Sequence, residues 1–438
     1  MYATGSPPHC ACLVDQIQNK IDMKPILKKL LPDALLGLYH WLLASLSAFI
    51  NFYPSRKLFV VVVTGTKGKS TVAELIHAIL TAAGHKTALA STIRFAIGSE
   101  SEPNLFKMTM PGRGFLQHFL SRAVAAKCTH AVVEMTSEGA TQYRHIGIES
   151  DALVFTNLQA EHIEAHGGFE NYVQAKLALA RALEKSSKRP RFIISNMDDA
   201  YGKDFLAANV EVKVPFSLQD AEPYNTDDKS VRFVWKQGDL VTVPLPGLFN
   251  LYNILSALSF TEALGIPFAA AKHALEHMHP VSGRAERVEQ GQPFAVVVDY
   301  AHTPDSLRAL YETFKERRIV AVLGSTGGGR DRWKRAEMGK IADEYASVSI
   351  LTNEDPYDEN PMRIMADLAG GFVVHKPQFI VDRREAVATA FKEAHEGDVV
   401  LISGKGTDPY IMGPNGNKQE WSDRAVAEEE LAKLGYHT

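Results

Sequence analysis

Cysteine is almost missing from this chain of 438 residues: Cys10, Cys12 and Cys128 are its whole supply. Three thiols so spaced build neither a disulfide framework nor a four-cysteine zinc site, and they suit a reducing cytoplasm. Cys10-x-Cys12 reads as two ordinary thiols in an irregular N-terminus that also holds Gly5, Pro7 and Pro8. Basic excess is missing too. Lys and Arg number 47 against 51 Asp and Glu, a net charge of −4, so no nucleic-acid partner is expected. No basic start followed by an apolar core and a small-residue cleavage site is seen, so no secretory signal is expected. Long uncharged runs are scarce, and the one that matters is Ala34 to Tyr53, which holds no Asp, Glu, Lys or Arg. It just reaches the membrane-spanning length of about 20 residues. Gly37, His40, Ser45, Ser47 and Asn51 dilute it, and only Pro54 to Lys57 follow before the next apolar strand. It reads as a helix packed on the domain that follows. The alternative is peripheral contact of 34–53 with anionic headgroups, helped by Lys28, Lys29, Arg56 and Lys57, and a true span is least favoured.

What the chain does have is a globular composition, 45% hydrophobic and 22% charged, and a length that calls for two or three domains. It is organised around Phe59 to Leu80, FVVVVTGTKGKSTVAELIHAIL. Phe59 to Val63 read as a buried parallel strand, and Val72, Leu75, Ile76, Ile79 and Leu80 recur with helical spacing. Between them lies Gly65-Thr66-Lys67-Gly68-Lys69-Ser70-Thr71. Strand, glycine loop and helix form a phosphate cradle in which backbone N–H groups and the helix N-terminus meet the anion. Lys69 reaches the outer phosphates and Ser70 can hold Mg²⁺. Val63 stands where the usual G-x-x-x-x-G-K-[ST] pattern has its first glycine.

Further chemistry follows in the same region. Lys86 to Thr92 reads as a strand, Gly114 to Ala126 as a helix, and His130 to Val133 as a strand ending at Glu134. A carboxylate at the C-terminal end of an α/β strand points to the ligand crevice, so Glu134 is a candidate for Mg²⁺ or water. Ala152 to Thr156 is another strand, with Glu161 and His162 beyond it, and His162 suits a metal ligand or phosphate contact. Lys176 sits among Tyr172, Leu177 and Leu179, where desolvation lowers an amine's pKa and frees it for carbamylation.

At these residues the chain resembles the Mur ligase family. The carriers are Gly65 to Thr71, Glu134-Met135-Thr136-Ser137, Thr156-Asn157-Leu158 with Glu161-His162, and Tyr172-x-x-Ala175-Lys176. Phe249-Asn250-x-x-Asn253, Gly283-Arg284-x-Glu286-Arg287-Val288 and Asp299-Tyr300-Ala301-His302-Thr303-Pro304-Asp305 resemble its tripeptide-synthetase (MurE) type. The resemblance runs from residue 58 to about 425. It implies ATP phosphates on Gly65, Thr66, Lys67, Gly68, Lys69, Ser70 and Thr71, with Asn250, Arg284 and Asp299 completing the ATP site. It implies Mg²⁺ on Ser70, Glu134, His162 and a carbamylated Lys176, and a muramoyl-peptide acceptor on Thr109, Thr136, Gln142 and Arg144. Met110 replaces the second threonine of the family's Thr-Thr-Pro loop. Arg330 falls where an arginine contacts the incoming amino acid.

The same resemblance implies an α/β fold: a short helical segment (1–57), a central P-loop ATPase domain with a parallel sheet (58–283), and a C-terminal Rossmann-like doubly wound domain (284–438). The last also shows in strands expected at Phe294 to Tyr300, Ile319 to Gly324, Val348 to Thr352, Phe379 to Val381 and Val399 to Ile402, alternating with helical patterns. The implied reaction is ATP-dependent addition of an amino acid, expected to be a diamino acid, to a muramoyl-peptide carboxylate by a cytoplasmic monomer. Two departures bear on its substrates. Glu354-Asp355-Pro356-Tyr357 stands where diaminopimelate-adding members carry Asp-Asn-Pro-Arg, and a tyrosine cannot make arginine's charged fork. Gly404-Lys405-Gly406-Thr407-Asp408 replaces Gly-Lys-Gly-His-Glu, leaving Asp408 to meet a substrate ammonium on a shorter arm. About 57 residues precede the ATPase strand, fewer than the family's UDP-binding sheet domain needs, so a lipid-linked acceptor enters consideration. Rivals are a sister ligase of the folylpolyglutamate or cyanophycin type, the amidotransferase partner MurT with its four-cysteine zinc insert, or a non-catalytic ATP-binding switch.

Overall fold

The computed structural model describes residues 33–112, 114–161, 163–329 and 331–437. Cys10, Cys12, Lys28, Lys29, His162 and Arg330 lie outside the described residues. The chain enters through helix α1 (Asp33–Ile50) and one 3-10 turn (Pro54–Lys57). It then builds an eight-stranded sheet from β1 (Phe59–Thr64), β2 (Thr87–Ala90), β3 (Arg94–Ile97), β4 (Glu100–Pro103), β5 (His130–Glu134), β6 (Ala152–Phe155), β7 (Phe192–Asn196) and β8 (Val212–Phe216). Spatial order is β4-β3-β2-β5-β1-β6-β7-β8, with only β3 reversed, so that it pairs antiparallel with β2 and β4 while every other pair is parallel.

The unbroken apolar run of β1 follows from burial on both faces. Val61 and Val63 join a core under α2 (Lys69–Ala82). Val60 and Val62 join another under α3 (Phe115–Ala125) and α4 (Phe169–Glu184). The apolar stripe of α2, from Val72 through Leu80, is fully buried, and α5 (Leu248–Ala263) packs along that helix. From β1 the chain moves to one side of the sheet through β2 and β5, then crosses to the other side at β6. The crevice at this reversal opens at the C-terminal ends of β1, β5 and β6, where such sheets bind ligands.

A small antiparallel sheet follows: β9 (Tyr224–Thr226), β10 (Val231–Val234) and β11 (Leu240–Val243). The second large sheet has the order β12-β13-β17-β14-β15-β16, from β12 (Glu286–Arg287), β13 (Ala295–Asp299), β14 (Ile319–Leu323), β15 (Ala346–Leu351), β16 (Gln378–Phe379) and β17 (Val399–Ser403). Only β12 runs antiparallel, and helices cover both faces: Val297 and Leu323 lie in one core, Val296 and Val322 in the other. The expected α/β class therefore holds, with two local differences. The strand expected at Lys86 to Thr92 stops at Ala90, because Thr92 turns its backbone N–H to the Glu134 carboxylate instead of to a neighbouring strand. The edge hairpin β3–β4 and the three-stranded sheet were not expected; these strands are short, and exposed residues break their apolar pattern.

Helix α1 differs from expectation in orientation. It does rest on the central sheet's lobe, but through Ala44 and Ala48, while its large side chains face outward. Among the described residues no helix is long and apolar enough to cross a membrane.

Candidate active site

The P-loop sits at the topological reversal. Gly65 (φ +148°) and Gly68 (φ +80°) make its two tight corners, and both positions are closed to other residues. A Cβ on Gly65 would come within 2.0 Å of Thr156 Oγ1, and one on Gly68 within 2.1 Å of Asn253 Oδ1. The loop is pinned from β6 outward: Thr66 N–H donates to the Asn157 carbonyl (2.8 Å), and Lys67 N–H to Asn157 Oδ1 (2.9 Å). The first turn of α2, Lys69 to Thr71, leaves its N–H groups without intrahelical acceptors, and their partial charge points at the loop mouth. Val63 causes no conflict. It lies inside β1, paired with Glu134 and Val154, so the cradle starts two residues later.

Glu134 ends β5 and is buried. Its Oε2 accepts from Ser70 Oγ (3.0 Å), Thr92 N (2.8 Å) and Thr92 Oγ1 (3.0 Å). Among the described residues Oε1 takes none of these bonds, so it is the oxygen left for a ligand. Ser70 Oγ and Glu134 are hard oxygen donors of the kind Mg²⁺ takes, the rest of its shell coming from phosphate and water. No group of three or more His, Cys, Asp or Glu gathers among the described residues to hold a metal.

Three lysines line the loop. Lys69 donates to the Thr66 carbonyl (2.9 Å), Lys67 to Glu161 (2.8 Å), and Lys176 to the Gly65 carbonyl (2.5 Å). Burial pushes the Lys69 ammonium below its ordinary pKa, against the pull of Glu134 and Glu161. Lys176, projecting from α4, is pushed much further down by burial and then by the Lys69 charge. Its Nζ lies 4.8 Å from the centre of the Tyr172 ring, and that phenol bonds Thr66 Oγ1 (2.8 Å). An amine whose charged form burial disfavours, flanked by Lys67 and Lys69, suits conversion to a carbamate, whose negative charge those cations would balance.

The second sheet meets this cradle directly. Arg284 reaches Ser70 Oγ at 3.5 Å while its guanidinium lies 4.5 Å over the Tyr300 ring. Asp299 ends β13 and is held by Ala285 N–H and Ala301 N–H, each 2.6 Å away; burial raises its pKa despite the nearby Arg284. His302 Nε2 stands 3.2 Å from Glu161. Asn250 lies one layer back, buried and bonded to the Pro246 carbonyl (2.8 Å) and to Asn253 (3.1 Å), and Asn253 is the residue that touches the loop.

On the acceptor side, Thr109 Oγ1 bonds Thr92 Oγ1 (2.7 Å), one step from Glu134. Thr136 caps the short helix Ser137–Thr141 through Gly139 N–H, and Arg144 bonds Gln142 (2.6 Å) and the Met110 carbonyl. Met110 serves by its backbone, and its side chain is buried against Gly139.

On the amino-acid side, Glu354 takes Thr326 Oγ1 (2.7 Å) on Oε1. Its Oε2 is buried without a hydrogen-bond partner among the described residues and lies where a Cβ on Gly404 would come within 2.4 Å. Asp355 accepts from Lys405 Nζ (2.9 Å), from Met412 N–H (2.8 Å) and from Lys107, which also lies 3.3 Å from Asp408. Tyr357 sits at φ +51° with its ring against Gly328. Lys107 was not singled out from the sequence: it stands alone in a loop, and its partners Asp355 and Asp408 are about 250 and 300 residues away. His302 and Lys405 fell inside noted motifs without being assigned a part.

A P-loop at a sheet reversal, faced by a second α/β lobe carrying Arg284 and Asp299, defines an ATP-using enzyme with two lobes. The family model described as the Mur ligase middle domain matches residues 63–261, and the Mur ligase glutamate ligase domain matches 283–406. The chain is 38% identical over 401 residues to UDP-N-acetylmuramoyl-L-alanyl-D-glutamate–2,6-diaminopimelate ligase of Gloeobacter violaceus, covering 88% of this chain and 80% of the relative. It is 36% identical over 398 residues to the enzyme of that name from Syntrophomonas wolfei, covering 87% and 80%. A solved structure of a protein of the same name shares 30% identity over 87% of this chain and 79% of that one, with a TM-score of 0.59. The chain belongs to the Mur ligase family. It is an ATP-dependent ligase that works with Mg²⁺.

Proposed function

We propose that the enzyme joins a diamino acid to the free carboxylate of a muramoyl peptide in peptidoglycan precursor synthesis, in the cytoplasm and as a monomer. The observation that carries this reading is the convergence of Lys69, Glu134 and Lys176 around one loop, with Arg284 and Asp299 of the other lobe facing it. Binding alone needs no such set. The relatives' names supply the acceptor type and 2,6-diaminopimelate as the first amine to try. In place of the arginine missing at 357, Lys107 is the cation beside Asp355 and Asp408 that can meet a substrate carboxylate, while the buried Lys405 holds the two acids from behind.

Amide formation from a carboxylate in water runs uphill, and ATP supplies the activation. An acceptor carboxylate oxygen attacks the γ-phosphorus and ADP leaves, giving an acyl phosphate. The neutral amine then attacks the acyl carbon, loses its proton, and inorganic phosphate departs. The chain's work is positioning and charge neutralisation. Lys69 and the loop amides hold the β- and γ-phosphates, and Arg284 adds positive charge from the opposite lobe. Ser70, Glu134, His162 and a carbamylated Lys176 would hold Mg²⁺, which supplies charge neutralisation at the phosphates. Asn250 and Asp299 serve the nucleoside, while Thr109, Thr136, Gln142 and Arg144 seat the acceptor. Arg330, Glu354, Asp355, Tyr357, Gly404 and Asp408 form the amino-acid side. The helical segment 1–57 precedes two working units, 58–283 and 284–438, and closure of the last on the central one excludes water.

The test is a mass-spectrometric screen of purified protein with ATP, Mg²⁺, muramoyl-dipeptide acceptors and a panel of amines. The expected product has the summed mass of acceptor and diamino acid less one water, with one ADP and one phosphate per amide. ATP turnover without amide across the panel would refute the ligase assignment.

A further inference from the structure

Helix α1 is amphipathic in the wrong sense for a water-facing helix. At about 100° per residue, Leu35, Leu38, Leu42, Leu46, Phe49 and Ile50 fall within an arc of roughly 120°. All six are 50–66% exposed. The opposite side carries Gly37, Ala44 and Ala48, and there the helix touches the enzyme. Gly147 approaches so closely that a Cβ on it would come within 2.3 Å of Ala48 Cβ, and Ser47 meets Gly114 in the same way at 3.1 Å. Small residues on both partners fix which side faces in. The large apolar side is therefore held outward by the packing. A face of this size exposed to water marks a contact surface.

Charge selects what the face meets. From Lys24 to Lys57 the sequence holds Lys24, Lys28, Lys29, Arg56 and Lys57 but only one acid, Asp33, in a chain whose overall net charge is −4. In sequence the apolar run 34–53 is thus flanked by basic residues; Arg56 is held by Glu149 (2.7 Å), and the basic excess that remains complements an anionic lipid surface, into which an apolar helix lies flat. A second exposed apolar group, Leu105, Phe106 and Met108, lies on the loop that runs into Gly114, and Phe106 packs on Phe115 beside it.

We propose that α1 docks the enzyme on an anionic phospholipid surface, its Leu35–Ile50 face in the headgroup boundary and its Ala44–Ala48 face on the catalytic lobe. Docking would turn the loops around Thr109, Thr136 and Arg144 toward the lipid and favour an acceptor carried there. That consequence rests on the proposed acceptor site; lipid docking itself does not, so the two can fail separately.

The experiment is co-sedimentation of the full chain with vesicles of phosphatidylcholine alone or with about 30% phosphatidylglycerol. The protein is expected to pellet with the anionic vesicles, to be released as salt rises, and to bind at least tenfold less as the Leu42→Asp, Leu46→Asp double variant. That variant should keep its melting temperature and its ATP-dependent turnover of soluble substrates, because both side chains face outward. Protein that stays in the supernatant with both vesicles overturns the proposal. So does a dimer in light scattering that the double variant splits, which would assign the face to a second copy. A double variant that melts several degrees lower without vesicle binding in the parent would assign it to residues 1–32, and would overturn it too.

Discussion

Glu134→Gln separates the charge of this carboxylate from its architecture. The three hydrogen bonds that Glu134 makes among the described residues all arrive at Oε2. A glutamine can put its amide oxygen there and keep Ser70 Oγ, Thr92 N and Thr92 Oγ1 as donors. Each bond weakens from charge-assisted to neutral, by about 1 kcal/mol, but the buried charge that those bonds had to stabilise is gone as well. Net stability should therefore move by no more than about 1 kcal/mol, a shift of roughly 2 to 4 °C or less for a chain of this size. At the Oε1 position the change is severe. An acceptor becomes an NH₂ donor, which repels a cation and withdraws negative charge from the phosphate cradle. Loss of one such preorganised electrostatic group costs about 2.7–4 kcal/mol, or 10² to 10³ in kcat. The assay is acceptor-dependent phosphate release, run beside calorimetry on the same preparation. A Glu134→Gln enzyme with more than a tenth of the parent kcat would refute the role given to Oε1. One that melts far below the parent would refute the hydrogen-bond argument.

The remaining expectations concern the loop, the buried lysine and three histidines. Gly65→Ala places a Cβ against Thr156 at φ +148°, a strain of about 1–3 kcal/mol; melting should fall by several degrees with loss of ATP binding, and an unchanged melting curve would count against it. If Lys176 works as a carbamate, stripping CO₂ from the buffer should lower turnover and bicarbonate should restore it. Lys176→Gln should show no bicarbonate response, and a parent enzyme indifferent to CO₂ removes the carbamate. His77, His130 and His145 are held near a pKa of about 4 against an ordinary 6.5, by burial first, aided by Arg94 at His77 and by His85 at His130. With the folded value depressed, the unfolded chain binds more protons between those limits. Their contribution is intact above about pH 6.5 and is lost as pH falls toward 4. The urea midpoint should drop across that window, less steeply in His77→Gln, and a flat midpoint would contradict the assignment.

Much of this was legible in the order of residues. The five apolar residues before Thr64 declared a doubly covered strand, and the glycine-lysine-serine loop with its helical stripe declared a phosphate cradle. Both are local, since strand, loop and helix are contiguous and their periodicities need no distant partner. Glu134 was legible for a related reason: a carboxylate at the exit of an apolar strand in such a sheet has few places to point other than the crevice.

Other features could not be read locally. Lys107 looks like any loop lysine until the fold carries it to Asp355 and Asp408. Asn250 carries a family motif, yet the tertiary structure sets it behind Asn253, its amide taken up by Asn253 and the Pro246 carbonyl while Asn253 stands against Gly68. Helix α1 is the sharpest instance. Its uncharged, apolar sequence established that a helix would form and would seek an apolar environment. Which side faces the enzyme was decided only when Ala48 met Gly147 and Gly114 was brought to Ser47. Those contacts join residues about 70 to 100 positions apart, and close approach of small groups is a property of two surfaces, absent from either stretch alone.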